Sequence, residues 1–259
     1  AEALEADGQV RGVPEGPGGA WARTRANHLL GRHEEVLRIA REGREDYPAD
    51  LFLRYQEIRA LVVLGRFDEA RPLLDEIEGM EPSRYGSASY SPGSVYYLVA
   101  SDLARFGPSE AAEGMAERGI HWYRARNAEA YRLSISKALI LLRRSQDALD
   151  LLETLAQEDP ENVEVRGTLG VAMALSGDRE GALREENWLG EVDRAYVRGR
   201  NTYWRVAILA HIGQQEEAVR LLRQAYQEGY SLRMGAVNHP LLWPLWDYPA
   251  YDQLFEPRG

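Results

Sequence analysis

The residues of this sequence that could do chemistry are few, and their spacing matches no catalytic or metal site. His33-Glu34-Glu35-Val36-Leu37 begins like a zinc-protease helix, in which two histidines four residues apart bind the metal. Leu37 stands where the second histidine would have to lie. The five histidines share no spacing typical of metal ligands, and the sequence has no cysteine. We therefore predict neither a metal nor a cofactor.

Other catalytic signatures are excluded on similar grounds. A Walker A loop needs Gly-Lys-Ser/Thr, whereas Lys137, the single lysine, follows Ser136 inside a predicted helix. The sequence contains no Gly-x-Ser-x-Gly turn that would present a serine nucleophile. Adjacent carboxylates such as Asp68 and Glu69 leave a helix in different directions and do not form an acid–base pair. We predict that the chain is not an enzyme, unless a catalytic domain lies upstream of it.

Composition predicts a folded, mainly helical chain. Its 259 residues carry a net charge of −10 without a continuous basic stripe, which argues against nucleic-acid binding. No apolar run approaches the roughly 20 residues of a membrane span, and no signal-peptide pattern is visible. We expect a cytoplasmic location, with a periplasmic one or a place in a larger membrane-anchored protein as alternatives. The absence of an initiating Met suggests a fragment or a processed product.

A short phrase recurs along the chain: a first residue that is usually Gly, a polar turn, and then an apolar residue, usually Ala, five residues on. Its copies begin at Gly31, Gly65, Gly107, Arg143, Gly177 and Gly213, at spacings of 34, 42, 36, 34 and 36 residues. A period in this range predicts one supersecondary unit stacked on copies of itself. Glycine at the start of the phrase suits the left-handed backbone that ends a helix. The phrase therefore predicts the turn of a helical hairpin.

These repeats resemble the tetratricopeptide repeat (TPR) family. The second copy carries Leu61, Gly65, Ala70, Leu74 and Pro82 where that family has a large residue, a glycine, an alanine, a bulky residue and a proline. The resemblance implies an all-α fold: a solenoid of about six antiparallel helical hairpins in a TPR-like right-handed superhelix, with a short C-terminal capping helix.

Three segments depart from the repeat, which we assign to residues 20–236. Residues 1–19 are rich in Gly and Pro and are expected to be a flexible linker or the stub of a preceding element. Extra residues at 83–93 predict a loop, either a tolerated insertion or a partner contact. In residues 237–259, Leu245, Asp247, Pro249 and Tyr251 resemble the segment that closes repeat domains of bacterial multidomain signalling and regulatory proteins. Pro249 is a plausible start for its capping helix, with Tyr251, Leu254 and Phe255 on one face.

The resemblance also implies where a ligand would bind. In the TPR family, repeat positions 2, 5, 9, 12 and 13 of the first helices face a concave groove. Positions 5 and 9 of this chain hold many aromatic and basic residues, which are the types that anchor interfaces. The candidate groove residues are Trp21, Arg25, Tyr55, Arg59, Tyr97, Lys137 and Tyr203. The alternative is that these rings pack inside the solenoid.

The resemblance thus implies a non-catalytic protein–protein interaction or scaffold module that binds a peptide segment of a protein partner. Two alternatives stay open. One is a ligand- or peptide-sensing regulatory domain of a bacterial transcription regulator or nucleotide cyclase. The other is an oligomerisation module that uses the Trp-rich tail to form a homo-oligomer. We predict no nucleic-acid partner and no membrane insertion.

Overall fold

The computed structural model describes residues 17–85, 88–192, 199–230 and 239–254. The chain divides into two compact units, Ala1–Val95 and Tyr96–Gly259, called the N-terminal unit and the C-terminal unit below. The long helices are α1 (Pro17–Leu29), α2 (His33–Asp46), α3 (Leu51–Val63), α4 (Phe67–Glu76), α5 (Pro92–Phe106), α6 (Ser109–Asn127), α7 (Arg132–Leu141), α8 (Ser145–Glu158), α9 (Val163–Ser176), α10 (Arg179–Glu191), α11 (Arg200–His211) and α12 (Gln215–Gln227). A one-turn 3₁₀ helix, Ile77–Gly79, extends α4.

The predicted all-α solenoid of helical hairpins is confirmed, since the described helices follow one another as six hairpins. The turn between the helices of a hairpin is left-handed where the repeated phrase begins with Gly31, Gly65, Gly177 or Gly213, with φ between 70° and 90°. Arg143 adopts the same conformation, with φ of 61°. A side chain there costs about 1 kcal/mol relative to glycine, so the hairpin imposes this backbone even without glycine.

Short polar side chains cap the starts of α3 and α9. The Asp50 carboxylate accepts a hydrogen bond from the Leu53 amide at 2.8 Å and caps α3. The Asn162 side chain accepts hydrogen bonds from the amides of Glu164 and Val165 at 3.1 and 3.2 Å and caps α9. Such caps satisfy backbone donors that the first helical turn leaves free.

The N-terminal unit contains α1 to α4 and a short β-hairpin, β1 (Ser83–Tyr85) and β2 (Ala88–Tyr90). This hairpin lies within the segment predicted to be a loop. It packs on α3, because the Ser83 hydroxyl accepts a hydrogen bond from the Leu51 amide at 3.0 Å and the Tyr90 ring lies 5.0 Å from that of Phe52. The insertion thus forms part of the packing of this unit.

The start of α1 also bears on the expected linker. Pro17, Gly18 and Gly19 are helical, although the sequence places them in the linker at residues 1–19. Proline is tolerated there because the first helical turn needs no hydrogen bond from its nitrogen. The rest of that segment, residues 1–16, lies outside the described residues.

The C-terminal unit packs each hairpin on the next. Helix α9 contacts α8 and α10 and lies directly on α11, the first helix of the following hairpin. Glycine permits this approach: a Cβ atom at Gly167 would lie 2.2 Å from Cγ of Trp204. One at Gly170 would lie 2.4 Å from Cδ1 of Ile208. Small residues in α9 therefore make room for large ones in α11.

Two short elements follow the last hairpin in the described chain. A 3₁₀ helix, Pro240–Leu245, contacts α7 and α11, and α13 (Pro249–Asp252) contacts α12. The predicted helix start at Pro249 is confirmed, and Tyr251 of this helix is fully buried. The 3₁₀ helix was not predicted. Phe255, expected on the same face as Tyr251, lies outside the described residues.

Candidate interaction surface

In the N-terminal unit the predicted groove residues form two pairs along α1 and α3. The Arg25 guanidinium lies 5.4 Å from the ring centre of Trp21, and both side chains are half-buried. The Arg59 guanidinium lies 5.9 Å from the ring centre of Tyr55. Tyr55 is only 3% exposed and Arg59 only 2%. Part of the cover comes from Tyr90 of the β-hairpin, whose ring lies 6.1 Å from that of Tyr55.

Two histidines lie beside this buried arginine. The rings of His28 and His33 meet edge to face at 5.0 Å. Burial, with the positive charge of Arg59 and the neighbouring His33, lowers the pKa of His28 to about 2. Burial and Arg59 also lower the pKa of His33. Both rings are therefore neutral at physiological pH.

In the C-terminal unit the predicted residues Tyr97, Lys137 and Tyr203 lie on α5, α7 and α11, around an acidic residue of α9. The Lys137 ammonium forms an ion pair with Glu164 and lies 5.8 Å from the ring centre of Trp204. The Lys137 side chain is 17% exposed and that of Glu164 is 39% exposed. A charged pair flanked by an aromatic ring thus remains partly exposed to solvent.

The two tyrosines border this ion pair with buried hydroxyl groups. Tyr203 is 2% exposed, and its ring stacks on Tyr230 with centroids 4.4 Å apart. Its hydroxyl has no hydrogen-bond partner within the described residues. Tyr97 is half-buried as a residue, and its hydroxyl is buried. Burial raises the pKa of both phenols, so both stay neutral.

Burial and the charge of Lys137 determine the protonation states of Glu164 and His239. Lys137 lowers the pKa of Glu164, with burial acting against it, so the carboxylate is ionised at neutral pH. Burial and the charge of Lys137 lower the pKa of His239 to about 3, which leaves that ring neutral. The His239 ring lies 5.9 Å from that of Tyr203. The surface therefore offers one balanced ion pair surrounded by neutral aromatic groups.

Sequence reasoning missed Glu164, Trp204 and His239. The repeat register does place Glu164 at groove position 2, so position 2 carried a usable signal. Gly167 holds groove position 5, where most repeats carry an aromatic residue, and the Trp204 ring occupies the space that a side chain there would need. No sequence pattern indicates the position of His239, because it depends on how the segment after the last repeat packs against the helices.

The tail itself lies against the first helices of the C-terminal unit. Residues 239–246, called the arm below, contact His211 and Arg105, which hold groove position 13 in their repeats. His211 Nε2 lies 2.9 Å from the carbonyl oxygen of Leu241 and donates to it. Burial lowers the pKa of His211 to about 4, so this ring is a neutral donor. One end of the predicted groove thus already holds a polypeptide segment.

The described residues contain no group of three His, Asp or Glu side chains placed to hold a metal ion. None of the described helices is long and apolar enough to cross a membrane. Glu164, the acidic residue at the ion pair, instead contacts Lys137. The groups that this surface presents are aromatic rings, an ion pair and hydrogen-bond donors.

Fold and surface together define a helical-repeat protein. Among solved structures, the chain is similar to MamA AMB-1 in its P212121 crystal form, with 19% identity and a TM-score of 0.34, covering 68% of this chain and 96% of that one. For the C2221 form of MamA AMB-1 the identity is 18% and the TM-score 0.32, with 67% and 95% covered. A likeness at this level says nothing about function. No family model and no curated protein matches the chain.

Proposed function

We propose that the chain is a non-catalytic interaction or scaffold module of the TPR type, which binds a peptide segment of another protein along the first helices of its C-terminal unit. The observation that carries this proposal is the arm, which lies across α7 and α11 and is held through its backbone carbonyl and its rings. A surface that accepts one polypeptide segment has the shape and the donors to accept another.

The ion pair of Lys137 and Glu164 supports the same proposal. It lies on consecutive first helices beside the arm, is partly exposed, and is flanked by Trp204. Aromatic and charged side chains on rigid helices bind a peptide with little reorganisation, because packing already fixes their geometry. We infer that a bound segment contacts these residues and Tyr97, which is half-buried beside them.

The test is selection of peptides from a displayed random library against the full chain, followed by affinity measurement on a Lys137→Ala/Glu164→Ala chain. Removing both partners leaves no buried unpaired charge, so the fold should survive. We expect enriched peptides to bind the double variant at least about tenfold more weakly, the loss typical of an interface anchor.

A matched control removes another ion pair. Arg144, the residue before α8, and Glu117, in the middle of α6, are 3.2 Å apart, and both are exposed. Peptides should bind an Arg144→Ala/Glu117→Ala chain within about twofold of the wild-type affinity, because surface pairs contribute little. Failure to enrich any peptide, or equal loss in both double variants, would contradict the proposal.

A further inference from the structure

The arm is held by features that recognise a peptide, in addition to ordinary packing. The Trp243 ring is held between the Arg143 guanidinium, 3.5 Å from its centroid, and the His211 ring, 4.4 Å away edge to face. The Arg105 guanidinium lies 5.4 Å from the ring centre of Trp246. Two indoles three residues apart are therefore each matched to an arginine on a different hairpin.

Two backbone carbonyls of the arm are also bound by side chains. His211 donates to the carbonyl oxygen of Leu241 at 2.9 Å, and the Gln215 amide donates to that of Pro244 at 2.6 Å. Side-chain donors that bind backbone carbonyl groups recognise the course of a segment's backbone, whichever residue types it carries at those positions. Together with the two arginines they describe a site for an apolar Trp-x-x-Trp segment with proline.

Arg143 contacts Trp243 from a backbone conformation that ordinarily favours glycine. It occupies the turn position that glycine holds in most of the hairpins, with φ of 61°, and its guanidinium lies on Trp243. The described residues offer it no ion pair. Burial lowers its pKa from the ordinary value. The guanidinium is thus directed at an indole face, despite the conformational cost of an arginine at this position.

The arm does not fill its site completely. A cavity of about 190 Å³ remains between the arm and α5 to α7, lined by Ala104, Leu141 and both arm tryptophans among others. The buried indole N–H of Trp246 has no hydrogen-bond partner among the described residues. A displacing segment that carries more side-chain volume here, and leaves no indole donor unsatisfied, would make contacts that the arm lacks.

We propose that the surface formed by Arg105, Arg143, His211 and Gln215 is a binding site for a Trp-x-x-Trp segment of a partner protein, and that the arm is its resident ligand in cis. The inference rests on the proposed function and specifies its ligand. Because the arm is tethered, it competes at a high effective concentration. A partner segment binds by displacing the arm.

The test uses the full chain and a fluorescein-labelled peptide of residues 239–247. In a Trp243→Ala/Trp246→Ala chain the arm loses both clamped rings, so we expect the peptide to bind at least about tenfold more tightly than to the wild-type chain. Adding Arg143→Gly should weaken that binding by about tenfold, and glycine suits the left-handed turn. A peptide with alanine in place of both tryptophans should not bind.

Arg144→Ala is the control for loss of an arginine, because Arg144 pairs with Asp147 and Glu117 and leaves the arm untouched. It should leave peptide binding unchanged. Equal binding of the peptide to the wild-type and double-variant chains would overturn the inference, as would binding insensitive to Arg143→Gly. If library peptides still bind through Lys137 and Glu164, the proposed function stands while this site fails.

If the Trp243→Ala/Trp246→Ala chain does not fold, hydrogen exchange tests whether the arm opens separately from the rest of the fold. The amides of Leu242 and Trp246 donate within the arm to carbonyls three residues before them. In an Arg143→Gly chain these amides should exchange about tenfold faster than in the wild type, with α12 unchanged, because the arm opens separately. Equal arm rates in the two chains would show that the arm is an integral part of the fold and overturn the inference.

Discussion

The close approach of α9 and α11 at Gly167 makes a quantitative prediction about stability. A Cβ atom there would lie 2.2 Å from Cγ, 2.4 Å from Cδ2 and 2.6 Å from Cβ of Trp204. All three distances are well below the 3.4 Å at which ordinary van der Waals contact begins, and Trp204 is only 4% exposed. Removing the overlap between this Cβ atom and Trp204 requires a shift of α11 or a new rotamer of the indole. Overpacking of this kind costs about 3 kcal/mol, from which the helix propensity of alanine recovers about 1 kcal/mol. We expect Gly167→Ala to lower the free energy of unfolding by about 2 kcal/mol.

Gly114 provides the matched control for this substitution. It lies within α6, is exposed, and would place its Cβ with nothing within 4 Å. Gly114→Ala should therefore raise the free energy of unfolding by up to about 1 kcal/mol. Urea unfolding of the full chain, followed by circular dichroism, measures both. Stabilisation by Gly167→Ala, or shifts of the same sign in the two variants, would refute the account of the α9–α11 contact.

Two further predictions concern a helix cap and the buried histidines. Asn162→Ala should lower the free energy of unfolding by about 1 kcal/mol, because two amides of α9 lose their acceptor; an unchanged urea midpoint would contradict this. Acid should destabilise the chain, because the pKa values of His28 and His239, about 2 and about 3, lie below the 6.5 of an unfolded histidine. Only the unfolded state then binds protons as pH falls below 6.5, which costs up to about 2 kcal/mol per histidine at pH 5. Equal urea midpoints of the wild-type chain at pH 5 and pH 7.5 would contradict this. So would a His239→Gln chain whose free energy of unfolding at pH 5 is no higher than that of the wild type.

The repeats could be predicted from the sequence because the hairpin turn has strict local requirements. Glycine at positions such as 31 and 213 marks a left-handed turn, and the alanine that follows in most copies marks a tight helix contact. The turn at Arg143 lacks glycine, yet the period alone places it correctly. The β-hairpin near Ser83 could not be predicted, since its three-residue strands depend on contacts with α3.

The candidate site was less predictable, because a repeat register gives the face of a helix but not what covers that face. Tyr55 lies on the expected helix, yet a ring from the insertion packs against it. Lys137 lies where the register places it, and its charge is balanced by Glu164 from the next hairpin. The arm, from residues far along the chain, lies on part of the same face. Each of these three contacts joins residues that are far apart in the sequence, so no local pattern predicts it.

Lys137 is the only lysine of the sequence, and it lies in the proposed interaction surface. Reductive methylation with ¹³C-formaldehyde modifies lysine side chains and the α-amino group and keeps the positive charge. The treated chain would therefore carry one side-chain methyl signal, beside Glu164 and Trp204, where the indole ring current shifts its resonance. The protein thus supplies its own spectroscopic reporter at the place where a partner is proposed to bind, without any introduced cysteine.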